Sequence, residues 1–302
     1  MIMRDTPQQD FDLVILGLGY ESRSTFTMKN RKFDCECIAL GYSKHCKAIK
    51  YPENKAFFKG ENVTIFEGDD GDVFDFVRET LERVSSPRNV LLDISVLSRH
   101  RLSTIMVMLL NGGLPKGSTL TVIYSISKYV SAPTESTPVA KVAPITEALS
   151  GPLNRLDKPL SLIIGLGYEK NKALGIFNYF DCKSDLVFTL IPESKENLFR
   201  KDVEKNNRAL LSTLTPNHIL EYDTHDPYNT YLDLKAIFKG IEEYTRPIVI
   251  PLGPKILSAI SVVVALEFHP FMPVWRVSSE HTEEPVDRKP SGDQICFTVE
   301  LD

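Results

Sequence analysis

LVILGLGYE, residues 13–21, recurs as LIIGLGYE at residues 162–169. Each copy is an apolar run that ends at a glycine, a pattern that predicts a buried strand breaking into a loop before a helix. In a parallel α/β sheet, ligands bind at the carboxyl ends of the strands. The two copies therefore predict two equivalent strands and place a candidate site at the loop after each one.

Shorter matches follow the long one in the same order along both halves of the chain. The separation between copies drifts from 148 residues at the first match to 155 at the last, as expected if loops gained residues between matched elements. A chain of 302 residues also fits about two domains. These observations predict an internal duplication of one domain of roughly 150 residues. The matched segments are residues 17–21 with 165–169, 33–35 with 180–182, 43–44 with 194–195, and 102–103 with 257–258.

Apolar runs alternate with amphipathic segments in both halves of the sequence. Short connections between the strand and helix patterns favour parallel strands. We therefore predict an α/β protein made of two tandem Rossmann-like domains, each with a doubly wound parallel sheet, that arose from an internal duplication. The predicted strands are residues 13–16, 35–40, 63–66, 90–95 and 120–125 in the first half and 160–164, 186–191, 218–222, 248–251 and 274–277 in the second.

A proline-rich stretch separates the two predicted domains. Residues 131–159 contain five prolines, which is typical of a linker. We therefore assign residues 1–130 to the first Rossmann-like repeat, residues 131–158 to the linker and residues 159–302 to the second repeat. Residues 295–299 are predicted to add a last strand to the second repeat, at the edge of its sheet.

The composition is that of a soluble globular chain, with 42% hydrophobic and 25% charged residues. No apolar run approaches the roughly 20 residues that span a bilayer, and residues 1–10 lack the apolar stretch of a signal peptide. The formal net charge of -5 argues against a broad nucleic-acid surface, although a local basic groove is compatible with it. The five cysteines, an odd number, indicate free thiols in a reducing compartment. We expect a cytoplasmic protein without a membrane partner or a nucleic-acid partner.

The first glycine loop, residues 17–23, carries part of a dinucleotide-binding fingerprint. Glycine lets the backbone turn and approach a ligand closely, and N–H groups at a helix start favour anions. Glu21 repels phosphate and suits a ribose hydroxyl, a base amine or acid–base chemistry, whereas Arg23 offsets or pairs with it. The alternative is that the glycines only allow a tight strand–helix turn and that Glu21 caps the helix. The candidate binding residues are Gly17, Gly19, Tyr20 and Arg23 in the first copy and Gly165, Gly167, Tyr168 and Glu169 in the second.

A serine–lysine pair follows the second predicted strand of each half. Lys44 and Lys195 can reach a phosphate or a carboxylate from this position. The alternative is a solvated lysine beside a serine that caps the next helix.

The exits of the fourth predicted strands differ between the halves. Asp93 ends an apolar strand, where a carboxylate is costly unless it is hydrogen-bonded or exposed in a cleft. With Ser95 and Arg99 it forms a compact polar group where a ligand would bind. The alternative is a structural ion pair between Asp93 and Arg99. The second half has Gly253 and Lys255 at this exit and no acid, so the two halves need not share one activity.

No set of residues has the full spacing of a metal site. The acidic residues after the third strands fit no calcium-loop pattern, and Cys35, Cys37 and Cys46 make only a partial zinc set. We therefore predict buried thiols and no metal, and leave the cofactor unassigned.

The loop at residues 17–23 and the stretch Asp93-Ile94-Ser95 resemble those of CARF domains and of SAVED domains, which are built from two fused CARF-like units. In CARF proteins an Asp–aliphatic–Ser/Thr stretch after a late strand precedes a helix. Here Val96 and Leu97 replace the glycine pair usual after that stretch. The resemblance implies a Rossmann-like module that senses cyclic or linear oligonucleotides in prokaryotic antiviral defence.

Three functions are compatible with these residues. The first is binding of a nucleotide or nucleotide-derived ligand at the strand ends, as a sensor or as the partner of a separate effector protein, with Tyr20 or Tyr168 stacking on a base. The second is an enzyme that cleaves an N-glycosidic or phosphoester bond, with Glu21 or Asp93 as nucleophile or general base and Arg99 orienting the substrate. The third is a protein-binding scaffold with degenerate sites, in which an apolar helix at residues 256–266 packs on the other half or on a second copy of the chain.

Overall fold

The computed structural model describes residues 1–4, 10–85, 87–132, 139, 141–152, 156–278 and 284–302. The chain divides into two units. Unit 1 comprises Met1–Lys128 and Glu284–Asp302, and unit 2 comprises Tyr129–Glu283. The strands in chain order are β1 (Ile2–Arg4), β2 (Leu13–Gly17), β3 (Glu36–Tyr42), β4 (Thr64–Gly68), β5 (Asn89–Asp93), β6 (Thr119–Ser127), β7 (Lys141–Pro144), β8 (Leu160–Gly165), β9 (Val187–Glu193), β10 (Ile219–Asp223), β11 (Arg246–Pro251), β12 (Trp275–Ser278) and β13 (Pro290–Glu300). The α-helices are α1 (Phe26–Asn30), α2 (Tyr51–Gly60), α3 (Asp70–Arg83), α4 (Arg99–Met108), α5 (Lys172–Phe180), α6 (Asn197–Leu211), α7 (Pro227–Ile241) and α8 (Lys255–Glu267).

Unit 1 contains a seven-stranded, mostly parallel sheet in the order β1-β13-β6-β5-β2-β3-β4. The five parallel strands β2 to β6 follow the order of a Rossmann-like sheet, in which the first strand lies at the centre. The apolar run of β2 is fully buried from Leu13 to Leu16, because helices cover both faces of such a sheet. The α/β class predicted from the alternating pattern is confirmed.

The last strand of the chain lies in unit 1. β13 pairs antiparallel with β6 on one side and with β1 on the other. The prediction that residues 295–299 extend the second repeat is therefore wrong. β13 buries the alternating side chains of Ile295, Phe297 and Val299, so it needs a neighbouring strand with an open edge. β6 provides that edge. Because β6 is far from β13 in the sequence, no local pattern indicates the pairing.

Unit 2 contains a four-stranded parallel sheet in the order β10-β9-β8-β11. β12, predicted as a strand of this sheet, pairs instead with β7 in an antiparallel ribbon. A single parallel bridge between Val249 and Val274 connects the ribbon's end to β11. Numbered in chain order, the four parallel strands of unit 2 lie in the order 3-2-1-4. The first four parallel strands of unit 1, β2 to β5, lie in the same order.

The predicted linker forms part of unit 2 wherever it is described. β7 lies within it, and the buried residues Ile145 and Leu149 are bonded to Val274 through the backbone. The N–H of Ile145 donates to the carbonyl of Val274, and the N–H of Val274 donates to the carbonyl of Leu149. The prediction of a separate linker from the proline content is therefore wrong for these residues, because prolines are also tolerated at edge strands and turns. Residues 133–138, 140 and 153–155 of the predicted linker lie outside the described residues.

α2, between β3 and β4, has no regular apolar stripe in the sequence, because its inward face combines Tyr51 and Phe58 with a polar residue, Asn54. The N-cap of α3 is Asp69, whose carboxylate accepts a hydrogen bond from the N–H of Asp72. No helix in the described part of the chain is both long and apolar enough to cross a membrane.

Candidate functional site

The candidate site of unit 1 lies where β2 and β5 are neighbours. The chain leaves β2 towards β3 on one side and leaves β5 towards β6 on the other, so the loops after these strands meet at the topological switch point of the sheet. The structure thereby brings together the two segments that the sequence singled out separately, residues 17–23 and residues 93–99.

The glycines of the first loop are needed for packing against the second loop. A Cβ atom at Gly17 would lie 2.6 Å from Cγ2 of Val96, and one at Gly19 would lie 3.0 Å from Cβ of Val96. The Val96 side chain therefore fills the space above both glycines. Packing against Val96 explains why glycine is required at both positions, so the glycines do not by themselves indicate a bound phosphate.

A buried asparagine on the second helix holds each glycine loop. The Asn54 amide on α2 donates hydrogen bonds of 2.9 Å to the carbonyls of Gly19 and Glu21. On α6 of unit 2, Asn207 donates a bond of 2.7 Å to the carbonyl of Gly167, which corresponds to Gly19 in the repeat. The sequence gives no signal for either asparagine, because an isolated Asn in a helix carries no motif.

Glu21 lies in a buried ion cluster. Nε of Arg23 donates to Oε2 of Glu21 at 2.5 Å, and Nη1 of Arg288 donates to Oε1 at 3.2 Å. Arg23 is only 2% exposed and also donates to the carbonyl of Ser125 at 3.0 Å. The expected pairing of Arg23 with Glu21 is confirmed. Glu21 is also the N-cap residue of the short helical turn Ser22–Thr25, as the alternative expected, but its side chain makes no cap hydrogen bond.

The segment before β13 crosses the same loop. Both the N–H and the hydroxyl of Ser22 donate to the Asp287 carboxylate, each at 2.7 Å. The next residue, Arg288, has a side chain that is 35% exposed while it contacts Glu21. No signal in the sequence links these residues, because they are separated from the loop by more than 260 positions.

Asp93 is buried in a network of neutral hydrogen-bond donors. The Ser95 N–H donates to Oδ1 at 2.8 Å and the Thr27 hydroxyl to Oδ2 at 2.5 Å. The Gln294 amide on β13 in turn donates to the hydroxyl of Thr27 at 2.8 Å and to that of Ser125 at 2.9 Å. Burial raises the pKa of Asp93 above its ordinary value, although the bonds from Ser95 and Thr27 and the charge of Arg23 oppose the rise.

The predicted ion pair between Asp93 and Arg99 is not formed. Among the described residues, the Asp93 carboxylate is bonded to Thr27 and Ser95. Arg99 is the first residue of α4, whose N-cap is Ser98. The buried arginine of this helix is Arg101, which no sequence motif indicates.

Arg101 ties the carboxyl ends of β3 and β4 together. Its guanidinium donates to Asp70 at 2.8 Å and to the carbonyl of Gly41 at 2.8 Å. The group also lies 3.8 Å from the centre of the Tyr42 ring. Every one of these partners belongs to the fold, so Arg101 supports the loops of the site rather than facing a ligand.

Two tyrosines and two lysines were predicted to contact a ligand. Tyr20 packs on the apolar core of unit 1 with its ring 6.1 Å from that of His45, and Tyr168 lies 6.0 Å from the ring of Phe199. Both tyrosines are partly exposed, and Lys44 and Lys195 are exposed. Their roles in stacking and in phosphate binding stay predictions.

The equivalent position in unit 2 has different chemistry. Pro251 ends β11 where Asp93 ends β5. A Cβ atom at Gly253 would lie 2.6 Å from the Leu166 carbonyl, so the two loops contact each other through their backbones. Glu169 lies 3.9 Å from the ammonium group of the buried Lys172. The same packing accounts for Gly165, whose added Cβ would meet Leu257, and for Gly167, whose added Cβ would lie 2.9 Å from the Leu252 carbonyl; Lys255 begins α8.

Within the described residues, no three His, Cys, Asp or Glu side chains are arranged to hold a metal ion. No disulfide joins any of the five cysteines, and Cys37 and Cys182 are buried.

Comparisons with known proteins do not assign a family. The chain matches no family model and no curated protein. Among solved structures it is similar to the cytoplasmic domain of a prokaryotic cation chloride cotransporter, with 8% identity, a TM-score of 0.25 and coverage of 91% of this chain and 98% of that one. It is also similar to the 16S rRNA N2 G1207 methyltransferase of T. Thermophilus in complex with AdoMet and guanosine, with 9% identity, a TM-score of 0.22 and coverage of 98% and 90%. Likenesses at such TM-scores carry no argument about fold or function.

Proposed function

We propose that the protein binds a nucleotide or a nucleotide-derived ligand at the carboxyl ends of the parallel strands of unit 1. The observation that carries this proposal is the ion cluster at the switch point, in which the buried Glu21 and Arg23 meet the partly exposed Arg288. Buried ion pairs are weak contributors to stability, and ionisable groups in perturbed surroundings concentrate at functional sites. A cluster of this kind at the usual ligand position of an α/β sheet therefore supports binding.

Arg288 is the group best placed to meet a phosphate. Its side chain is partly exposed and lies on the segment that crosses the glycine loop. A guanidinium binds carboxylates and phosphates in the same forked geometry, so a ligand phosphate competes with Glu21 for Arg288. Since Val96 fills the space above the glycines, the ligand contacts loop side chains rather than the glycine backbone.

A second candidate function is hydrolysis of an N-glycosidic or phosphoester bond. The observation that favours it is the position of Asp93 at the carboxyl end of β5, at the switch point beside β2, where burial also raises the pKa of its carboxyl group. A carboxyl group that keeps its proton nearer to neutral pH suits a general acid. In this role Asp93 would donate a proton to the leaving group, and Arg99 would orient the substrate.

We infer further that the two units arose by duplication of one Rossmann-like domain. The shared strand order and the equivalent asparagines, Asn54 and Asn207, support this inference. Unit 2 lacks the acid at the end of its fourth strand, so binding is assigned to unit 1. The resemblance to CARF domains adds cyclic and linear oligonucleotides to the ligands worth testing.

The test is native mass spectrometry of the protein with a panel of nucleotides, NAD and cyclic oligonucleotides. We expect one class to bind the wild type and to bind at least about tenfold more weakly to Arg288→Gln, because a charge-assisted contact is lost. Asp93→Asn tests the second candidate, since an enzyme variant should hold the substrate intact while the wild type converts it.

Arg78→Gln is the matched control, because Arg78 is an exposed arginine on α3 whose ion pair, among the described residues, is with Asp75. A ligand that binds the wild type, Arg288→Gln and Arg78→Gln with equal affinity would exclude the proposed site. Failure of the whole panel to bind the wild type would exclude nucleotide binding as the function.

A further inference from the structure

A groove in unit 2, remote in sequence from the glycine loops, carries chemistry that the proposed function does not use. It has a volume of about 640 Å³ and lies between α6 and the strands β9 and β10. Ile191, Leu211 and Ile219 provide apolar surface along it, while Lys201, Lys205 and Arg208 project from α6. The groove thus combines an apolar base with a cationic wall.

The three cations of the wall are available to an incoming anion. Lys201, Lys205 and Arg208 are exposed, and none of them forms an ion pair with any described residue. They occupy one face of α6, since positions separated by four and three residues are neighbours on a helix. In a chain with a formal net charge of -5, this cluster is a local exception.

The two acids that line the same groove share one arginine. Glu204 accepts a hydrogen bond of 2.9 Å from Nε of Arg200, and Glu221 pairs with Nη2 of the same guanidinium. Arg200 also pairs with Glu193, so it offsets only one of these three negative charges. Together with the three cations of the wall, these groups carry a net charge of +1.

The other wall of the groove is the edge of a sheet. In the described part of the chain, β10 is the outermost strand of the four-stranded sheet and pairs with β9 alone. An edge strand exposes backbone N–H and C=O groups that can pair with another strand. Ile219 and Glu221 point towards α6, because both line the groove.

The spacing of the cations fits an extended peptide. Lys201 and Lys205 are separated by about 6 Å along the helix axis, since an α-helix rises about 1.5 Å per residue. Side chains on one face of a strand repeat every two residues, or about 6.7 Å. Acidic residues at alternate positions of an added strand can therefore meet successive cations of α6.

We propose that the groove between α6 and β10 binds an acidic, extended segment of a partner protein, which adds a strand beside β10. The acidic side chains pair with Lys201, Lys205 and Arg208, while the backbone pairs with the strand edge. An apolar base and a strand edge suit a peptide better than a sugar–phosphate backbone, so a protein segment is preferred over a nucleic acid.

The test measures the binding of a fluorescein-labelled peptide of about ten residues, in which Glu alternates with Val, to the full chain at about 50 mM salt, where exposed charges are weakly screened. The groove variant is Lys201→Gln/Lys205→Gln/Arg208→Gln. We expect its dissociation constant to rise by at least about tenfold.

The control variant Lys32→Gln/Lys116→Gln/Lys183→Gln removes the same charge from exposed lysines outside the groove. It should bind the peptide as the wild type does. A peptide with the same sequence but with alternate backbone nitrogens methylated should bind more weakly, because it cannot complete the strand pairing.

Four outcomes would overturn the proposal. These are no binding of the peptide by the wild type, an equal loss in the groove and control variants, equal binding of the methylated peptide, and binding of a thymidine oligonucleotide in preference to the peptide. The first two variants are at exposed positions, so their folding can be verified by an unchanged circular dichroism spectrum.

Discussion

At the residue scale, Asp93 meets its surroundings mainly through neutral donors. Two hydrogen bonds hold its carboxylate, from Ser95 and Thr27, but they do not replace the water that burial removes. Burial therefore raises the pKa of Asp93 in the folded chain. In the unfolded chain the group titrates near its ordinary value of about 3.9.

This difference predicts how stability depends on pH. Between the unfolded pKa and the higher folded pKa, the folded chain binds more protons, so the contribution of Asp93 to the free energy of unfolding falls as pH rises. Asp93→Asn carries no such penalty. We therefore expect the stability of the variant relative to the wild type to increase as the pH rises above about 4, as measured by urea denaturation.

The control for this prediction is Asp34→Asn, which replaces an exposed aspartate in the same unit. Its stability relative to the wild type should stay nearly constant over the same range. A constant difference for Asp93→Asn as well would show that Asp93 has the same pKa in the folded and unfolded chains.

At the scale of elements, each glycine loop depends on the helix that follows the next strand. Asn54 on α2 satisfies the carbonyls of Gly19 and Glu21, and Asn207 on α6 satisfies that of Gly167. A buried carbonyl that loses its donor costs about 1–3 kcal/mol. The loops are therefore held in place by contacts distant in sequence, although their conformation begins with a local glycine pattern.

We predict that Asn54→Leu lowers the local stability of the glycine loop of unit 1 and leaves that of unit 2 unchanged. Hydrogen exchange followed by mass spectrometry should become roughly tenfold or more faster in residues 13–30, since about 1.4 kcal/mol of local stability corresponds to tenfold in an opening equilibrium. Exchange in residues 160–180 should stay unchanged.

The reciprocal variant, Asn207→Leu, serves as the matched control and should produce the opposite pattern. If either variant altered both loops or neither, the asparagines would not be the groups that hold these loops.

At the scale of the whole molecule, the chain ends complete the first sheet. β13 inserts between β1 and β6, and its residue Gln294 bonds to Thr27 and Ser125 beside Asp93. Unit 1 is thus built from two distant parts of the chain, whereas unit 2 is continuous. A boundary at residue 130 would remove a buried strand from the first domain.

We therefore expect a fragment of residues 129–283 to fold alone. A fragment of residues 1–130 should not fold cooperatively by itself. Addition of a synthetic peptide of residues 284–302 should restore cooperative unfolding to the first fragment, because it supplies the missing strand. Thermal unfolding monitored by circular dichroism gives the readout. Cooperative unfolding of residues 1–130 without the peptide would contradict the role assigned to β13.

Part of this protein follows from local sequence alone. The apolar runs at residues 13–16 and in β5 could be predicted as strands from the sequence, because strands that are buried on both faces of a parallel sheet consist of continuous apolar residues. The glycine after β2, the acid at the end of β5 and the periodic helices were predictable for the same reason. Short-range patterns determine which segments are strands and which loops lie at strand ends.

Only the tertiary structure decided the composition of the site. The pairing of β13 with β6, the contact of Arg288 with Glu21 and the packing of Val96 on the glycines join residues that no periodicity relates. Strand pairing and buried ion pairs depend on which surfaces remain open after the local elements have formed. For that physical reason the sequence identified the loops of the candidate site, while the fold selected the side chains that occupy it.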